Sequence, residues 1–232
     1  MNNVLQKFTQ YHQCFLNKLP SFDGIPALFI RLYIAPIFIM AGISKMAVFN
    51  DDITGIAKFM ADPNIVSWFG NSEWGLGLPF PALLANLVIL VEFAGGWLLV
   101  VGLFTRLISI PLMFTMIVAA TSVHSENGWF AITPTNSDIS PAKVLTWLGS
   151  EKAEQSLVNS EETAVRLNKM KALLEDNGNT DWLYENGSIV VLNNGIEFSV
   201  TYFILLLALF FIGAGRYTSI DYYLLAAIKA KS

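Results

Sequence analysis

Hydrophobic and polar positions along this chain are segregated into long blocks rather than alternating with the short period of a half-buried strand. A helix that crosses a bilayer needs about 20 consecutive, mostly apolar residues. Four stretches meet that length: 27–48 (ALFIRLYIAPIFIMAGISKMAV), 81–102 (PALLANLVILVEFAGGWLLVVG), 104–123 (FTRLISIPLMFTMIVAATSV) and 197–215 (EFSVTYFILLLALFFIGAG). Each predicts a spanning helix. The first is too long for the apolar core of a signal peptide, lacks a small-residue cleavage site and follows a mostly polar segment, so it reads as retained.

The polar blocks predict the remaining organisation. In segment 1–26, Val4, Phe8, Tyr11 and Phe15 recur at helical spacing beside Leu5, Leu16 and Leu19, the pattern of an amphipathic helix lying on the inner leaflet. Loop 49–80 combines Trp68 and Trp74 with glycines and prolines, as an interfacial or re-entrant cover would. The long insert 124–196 contains one clear helix, with Ser160 as its N-cap, Glu161 and Glu162 in its first turn and Gly178 just past its end. After it, SIVVLNNGI reads as a short strand with an Asn-Gly turn. The expected fold is all-α and membrane-embedded: a four-transmembrane-helix bundle with an N-terminal amphipathic helix and a long extracytoplasmic insert between helices 3 and 4. Its divisions are 1–26, 27–123 with loop 49–80, 124–196, and 197–232.

Basic residues near helix ends set orientation. Lys7, Lys18, Arg106, Arg216, Lys229 and Lys231 fall on one side, whereas loop 49–80 holds only Lys58. Both termini are therefore expected in the cytoplasm of a bacterial inner-membrane protein, with both large loops on the opposite side.

Composition narrows the function classes. Charged residues make up 14% of the chain, against about 25% in a typical soluble domain. A net charge of −4 argues against a nucleic-acid partner. Cys14 is the single cysteine, and His12 and His124 are the only histidines, which excludes an intrachain disulfide and makes a histidine-built metal centre improbable. His12 and Cys14 form an HxC pair without further ligands, and Met40, Met46, Met113 and Met116 are read as packing residues in preference to Cu(I) ligands. The chain carries no P-loop, dinucleotide fingerprint or CxxC motif.

Candidate chemistry lies inside the apolar blocks. At 100° per residue, Arg31, Phe38, Gly42 and Lys45 fall on one face of the first span, and Glu92, Gly96, Leu99 and Arg106 on one face of the second. Glu92 sits near the middle of its span, where a charged group costs at least about 2.5–3.5 kcal/mol. It must therefore face inward and find a partner. Two readings are open: a Glu–Arg or Glu–Lys clamp that fixes helix register, or a proton relay or polar contact to a quinone. The candidate ligand-binding cluster is Arg31, Lys45 and Glu92. Gly42, Gly96, Arg106, Arg216 and Asp221 are expected as structural anchors, with Asp221 orienting Arg216 from five residues on. His124 is a candidate contact at the mouth of the third span.

RLYIAPIFIMAGISKM, EFAGGWLLVVGLFTR and the closing FIGAGRYTSIDYYL together resemble the DoxX family of small four-helix bacterial membrane proteins. The insert, with NGWFAI at 127–132 and NTDWLYENGSIVVLNNGIEF at 179–198, is similar to an HvfX-like branch of that family. The branch resemblance implies an accessory role in maturation, export or redox handling of a copper-binding, ribosomally made modified peptide, with copper carried by that partner. Other relatives imply the alternative, a quinone-interacting membrane oxidoreductase subunit. Besides the lipid bilayer, a homo-oligomeric partner is expected to be compatible with so small a bundle.

Overall fold

A computed structural model describes residues 2–231, with the side chains of residues 2–4 and 20 outside the described set. The chain divides into two compact units, one formed by residues 1–122 and 199–232 and the other by residues 123–198.

The first unit opens with α1 (Asn2–Lys18), whose Leu5, Phe8, Tyr11 and Phe15 are all exposed. A short 3-10 turn leads into α2 (Gly24–Lys45), which runs through Pro36. The loop after α2 folds back on it. Asp62 N–H donates to the Lys45 carbonyl at 3.0 Å, and Met46 bridges Ala61. Asp62 then caps α3 (Pro63–Gly70) by accepting from Asn64 N–H at 2.8 Å. Pro81 opens α4 (Pro81–Val101) at a position where a missing N–H is harmless, and left-handed Gly102 closes it. Next come α5 (Thr105–Val118), extended by a π turn at Ala119–Val123, then α9 (Glu197–Ile212) and α10 (Ile220–Lys229) after the second unit's helices.

Close approach of α2 and α4 is a small-residue effect. A Cβ on Gly42 would lie 2.9 Å from the Phe93 backbone nitrogen, and one on Gly96 would lie 2.6 Å from Ile39 Cγ1 and 3.0 Å from the Ala35 carbonyl. In lipid, where apolar surface gains little by leaving the tails, such backbone proximity is what makes helix contact favourable. Ala27, Ile34, Ala35, Phe38, Leu99, Leu112, Leu206 and Leu209 form the buried core around this contact.

The expected four-span bundle is not what the chain forms. Among the described residues, three helices are long and apolar enough to cross a membrane: Gly24–Lys45, Pro81–Val101 and Thr105–Val123. The fourth apolar run yields α9, which has 16 residues. At about 1.5 Å per residue that is roughly 24 Å, short of a hydrocarbon core of about 30 Å. Its shortness has a local cause. Gly213 (φ +82°) and Gly215 (φ +92°) adopt left-handed conformations that turn the chain away before the apolar composition runs out. Leu206 and Leu209 still bury in the core, so α9 packs with the bundle without having the length of a span. The part of the chain from residue 142 to residue 229 is helical and largely not of membrane-spanning character.

The second unit is built from α6 (Ala142–Thr146), α7 (Glu151–Asn177) and α8 (Thr180–Leu183). Its long helix starts ten residues earlier than the Ser160 signal suggests. Ser160 is an interior, fully buried residue whose Oγ donates to the Ser156 carbonyl. Ala153, Ser160, Thr163 and Leu167 make one continuous buried stripe at helical spacing, and that stripe outweighs the internal cap signal. SIVVLNNGI does not form a strand. It contributes one isolated bridge, Ile132 to Leu192, after which Asn193, Asn194 and Gly195 fold tightly against the 128–131 backbone.

Candidate functional site

Glu92 is carried by the middle of α4 and is almost completely buried. Lys45, the last residue of α2, folds back along its own helix so that Nζ donates to the Ala41 carbonyl at 3.1 Å and to Glu92 Oε2 at 2.7 Å. Placing an ammonium there depends on Gly42, one turn earlier, which brings α2 against Phe93 beside Glu92. The pair is asymmetric in access: the Lys45 side chain is 23% exposed and that of Glu92 5%. A buried carboxylate thus meets a cation that keeps partial access. Such a pair can hold register, exchange a proton, or donate a charge-assisted hydrogen bond to an incoming carbonyl oxygen.

Arg31 does not join them. It is fully buried a few turns away, where Nη1 donates to the Leu99 and Val100 carbonyls at 3.0 and 3.2 Å and Nη2 to the Thr218 carbonyl at 2.8 Å. Leu99 and Val100 belong to the final turn of α4, whose carbonyls lack partners within the helix and carry the negative end of its dipole. Arg31 therefore closes α4 and ties it to the loop before α10. Gly102 makes room for it: a Cβ there would sit 2.4 Å from Arg31 Nη1.

Asp221 works in the same way on the next helix, and not on Arg216 as its spacing suggests. Its Oδ1 and Oδ2 accept from the backbone N–H groups of Phe104 and Thr105 at 2.8 and 3.0 Å, capping α5 from far along the chain. Phe104 precedes α5 in a left-handed conformation (φ 53°) and has no capping side chain. The absence of a local Ser, Thr, Asp or Asn before Thr105 is the sequence signal that a distant acceptor is required. Arg216 pairs instead with Asp23 through Nε at 3.2 Å, a contact the sequence reading missed. Arg106 Nη2 donates to the Phe211 carbonyl at 3.1 Å.

His124 belongs to the 123–198 unit, where Nδ1 lies 3.0 Å from the Asn194 carbonyl, which also accepts from Asn127 Nδ2. Outside the membrane spans, the Asp62 carboxyl is held below its ordinary value, first by the Asn64 backbone N–H and then by the Asn50 amide. Among the described residues no group of three or more His, Cys, Asp or Glu side chains could hold a metal ion. Of the four methionines, Met113 and Met116 pack on the core, Met46 is buried, and Met40 is exposed.

Residues 27–125 match the DoxX family, which supports a DoxX-family membrane domain containing α2, α4 and α5. The match stops at the start of the insert, so it carries neither α9 nor an HvfX-like branch. No curated protein and no solved structure matches the chain.

Proposed function

We propose that this chain, with its DoxX-family membrane domain, is the membrane subunit of a redox system and that a quinone meets it at Lys45 and Glu92. The observation that carries the reading is the 2.7 Å pair between a nearly enclosed carboxylate and a partly accessible ammonium inside apolar helices. Lipid-soluble quinones arrive laterally from the tails, and the Lys45 side chain keeps part of its surface accessible to an incoming headgroup. An ammonium there donates to a quinone carbonyl oxygen. Reduction to the quinol takes two electrons, which a partner redox protein supplies in this scheme, and two protons: one passed through Lys45 and Glu92 to the oxygen they contact, the other taken up by the second oxygen from water at the membrane surface. The general redox and accessory character follows the DoxX-family domain. The quinone assignment rests on the chemistry of the pair. The copper-peptide role has no supporting feature among the described residues that would distinguish it from another partner. We place the chain in a bacterial inner membrane with both termini cytoplasmic, on the strength of its lysine and arginine distribution.

Organic extraction of detergent-purified protein tests this. The expected result is about one quinone per chain, retained by the wild type and lost from K45M, with E92Q retaining less than the wild type. Equal quinone content in all three proteins, or none in the wild type after reconstitution with added quinone, would sink the assignment.

A further inference from the structure

At the end of the bundle where α4 gives way to α5, the cations keep more hydrogen-bonding capacity than their contacts use. The loop 213–219 and the first turn of α5 surround a cavity of about 420 Å³ whose walls include Arg106, Arg216, Gly213, Phe104, Leu107 and Leu225. Asp23 and Asp221 also line it, but both are engaged: Asp23 with Arg216 Nε, Asp221 with two backbone N–H groups. Arg106 has no carboxylate partner among the described residues, and its side-chain hydrogen bond to the Phe211 carbonyl leaves most of its donors open. Arg216 meets Asp23 through Nε, which leaves the end-on edge between its two terminal nitrogens open. Left-handed Gly213 sits directly under Arg106, where a Cβ would come within 3.0 Å of Nε. Phe104, Leu107 and Leu225 add exposed apolar walls beside these charged groups.

Guanidinium donors match the geometry of phosphate oxygens, and basic pockets at the rim of membrane helices bind anionic headgroups. A soluble phosphate has no use for the apolar walls, whereas the first methylenes of an acyl chain do. We propose that this cavity binds the headgroup of an anionic phospholipid. Its phosphodiester lies against the terminal nitrogens of Arg106 and Arg216, and its glycerol and upper chains lie along Phe104, Leu107 and Leu225.

Native mass spectrometry of the full chain in detergent, titrated separately with phosphatidylglycerol, phosphatidylcholine and inorganic phosphate, tests the proposal. The expected result is one retained phosphatidylglycerol, bound about tenfold or more tightly than phosphatidylcholine and not displaced by millimolar inorganic phosphate. R106Q and, independently, R216Q are each expected to reduce that retention about tenfold, and K143Q, on an exposed lysine of the insert, to leave it unchanged. Should R106Q not yield folded protein, R106K is expected to keep the lipid preference with weaker binding. Equal retention of the two lipids, retention of phosphatidylglycerol by R106Q and R216Q at the wild-type level, or its displacement by inorganic phosphate would each overturn the assignment.

Discussion

Lys45 and Glu92 set narrow limits on what either position tolerates. Removing the ammonium in K45M leaves a carboxylate in an apolar helix interface, and loss of one partner of a buried pair costs about 3–5 kcal/mol. Partial exposure of Lys45 places the expected loss toward the lower end of that range. Replacing both residues, as in K45M/E92L, removes the two desolvated charges together and is expected to recover most of the stability. Thermal unfolding in detergent checks this, and a double variant less stable than K45M alone would contradict it. Asp62 gives a pH-dependent case outside the membrane spans. Its carboxyl is depressed in the folded protein by the Asn64 N–H and the Asn50 amide. Its contribution is therefore fully present above the unfolded carboxyl value of about 3.9 and is lost as pH falls through the lower folded value. The melting temperature of wild type is expected to exceed that of D62A at about pH 6, and the gap to shrink as pH drops below about 4. A gap independent of pH would show that the ionised carboxylate does not stabilise α3.

At the scale of elements, the bundle depends on contacts that local sequence does not announce. Asp221 supplies the cap that α5 lacks, so D221A is expected to cost about 1–2 kcal/mol, and D221N less because its amide oxygen can still accept. A denaturation midpoint for D221A equal to that of wild type would refute the capping role. Gly96 allows the α2–α4 approach, and G96L is expected to force the two helices apart, lowering the melting temperature and weakening the Lys45–Glu92 contact that depends on the same approach. Membrane extraction of G96L with unchanged stability and unchanged quinone content would contradict that dependence. Much of this architecture was legible beforehand. Apolar blocks of spanning length located α2, α4 and α5, and the small residues Gly42 and Gly96 marked the faces that meet. The end of α9 was not legible, because hydropathy sees the apolar run continue to residue 215 while the backbone turns at Gly213. Ser160 misled for the converse reason: a strong local cap signal lay inside a helix held by a longer buried stripe.

Across the whole molecule, the low charge content and its confinement to blocks identified a membrane protein, and residues 27–125 place a DoxX-family domain within it. Pairings between distant segments were the illegible part. Helical phase put Arg31, Lys45 and Glu92 on facing surfaces, but only the folded chain shows that Lys45 bends back to Glu92 while Arg31 is taken up by the carbonyls ending α4. Arg216 similarly looked assigned to its near neighbour Asp221 and is held by Asp23 from the other end of the sequence. Proximity in sequence is a weak guide once three spans bring their ends together. The functional consequence is that, among the described residues, Glu92 is the buried carboxylate of the membrane domain and Lys45 its partly accessible cation, and the proposed quinone chemistry depends on that carboxylate changing its hydrogen bonding as the quinone is reduced. Redox-induced infrared difference spectroscopy of the quinone-loaded protein reads this directly. The expected result is a carboxyl band that appears between oxidised and reduced states in wild type and is absent in E92Q, together with a shifted quinone carbonyl band that is lost in K45M. A wild-type spectrum identical to those of E92Q and K45M would show that the pair takes no part in quinone reduction.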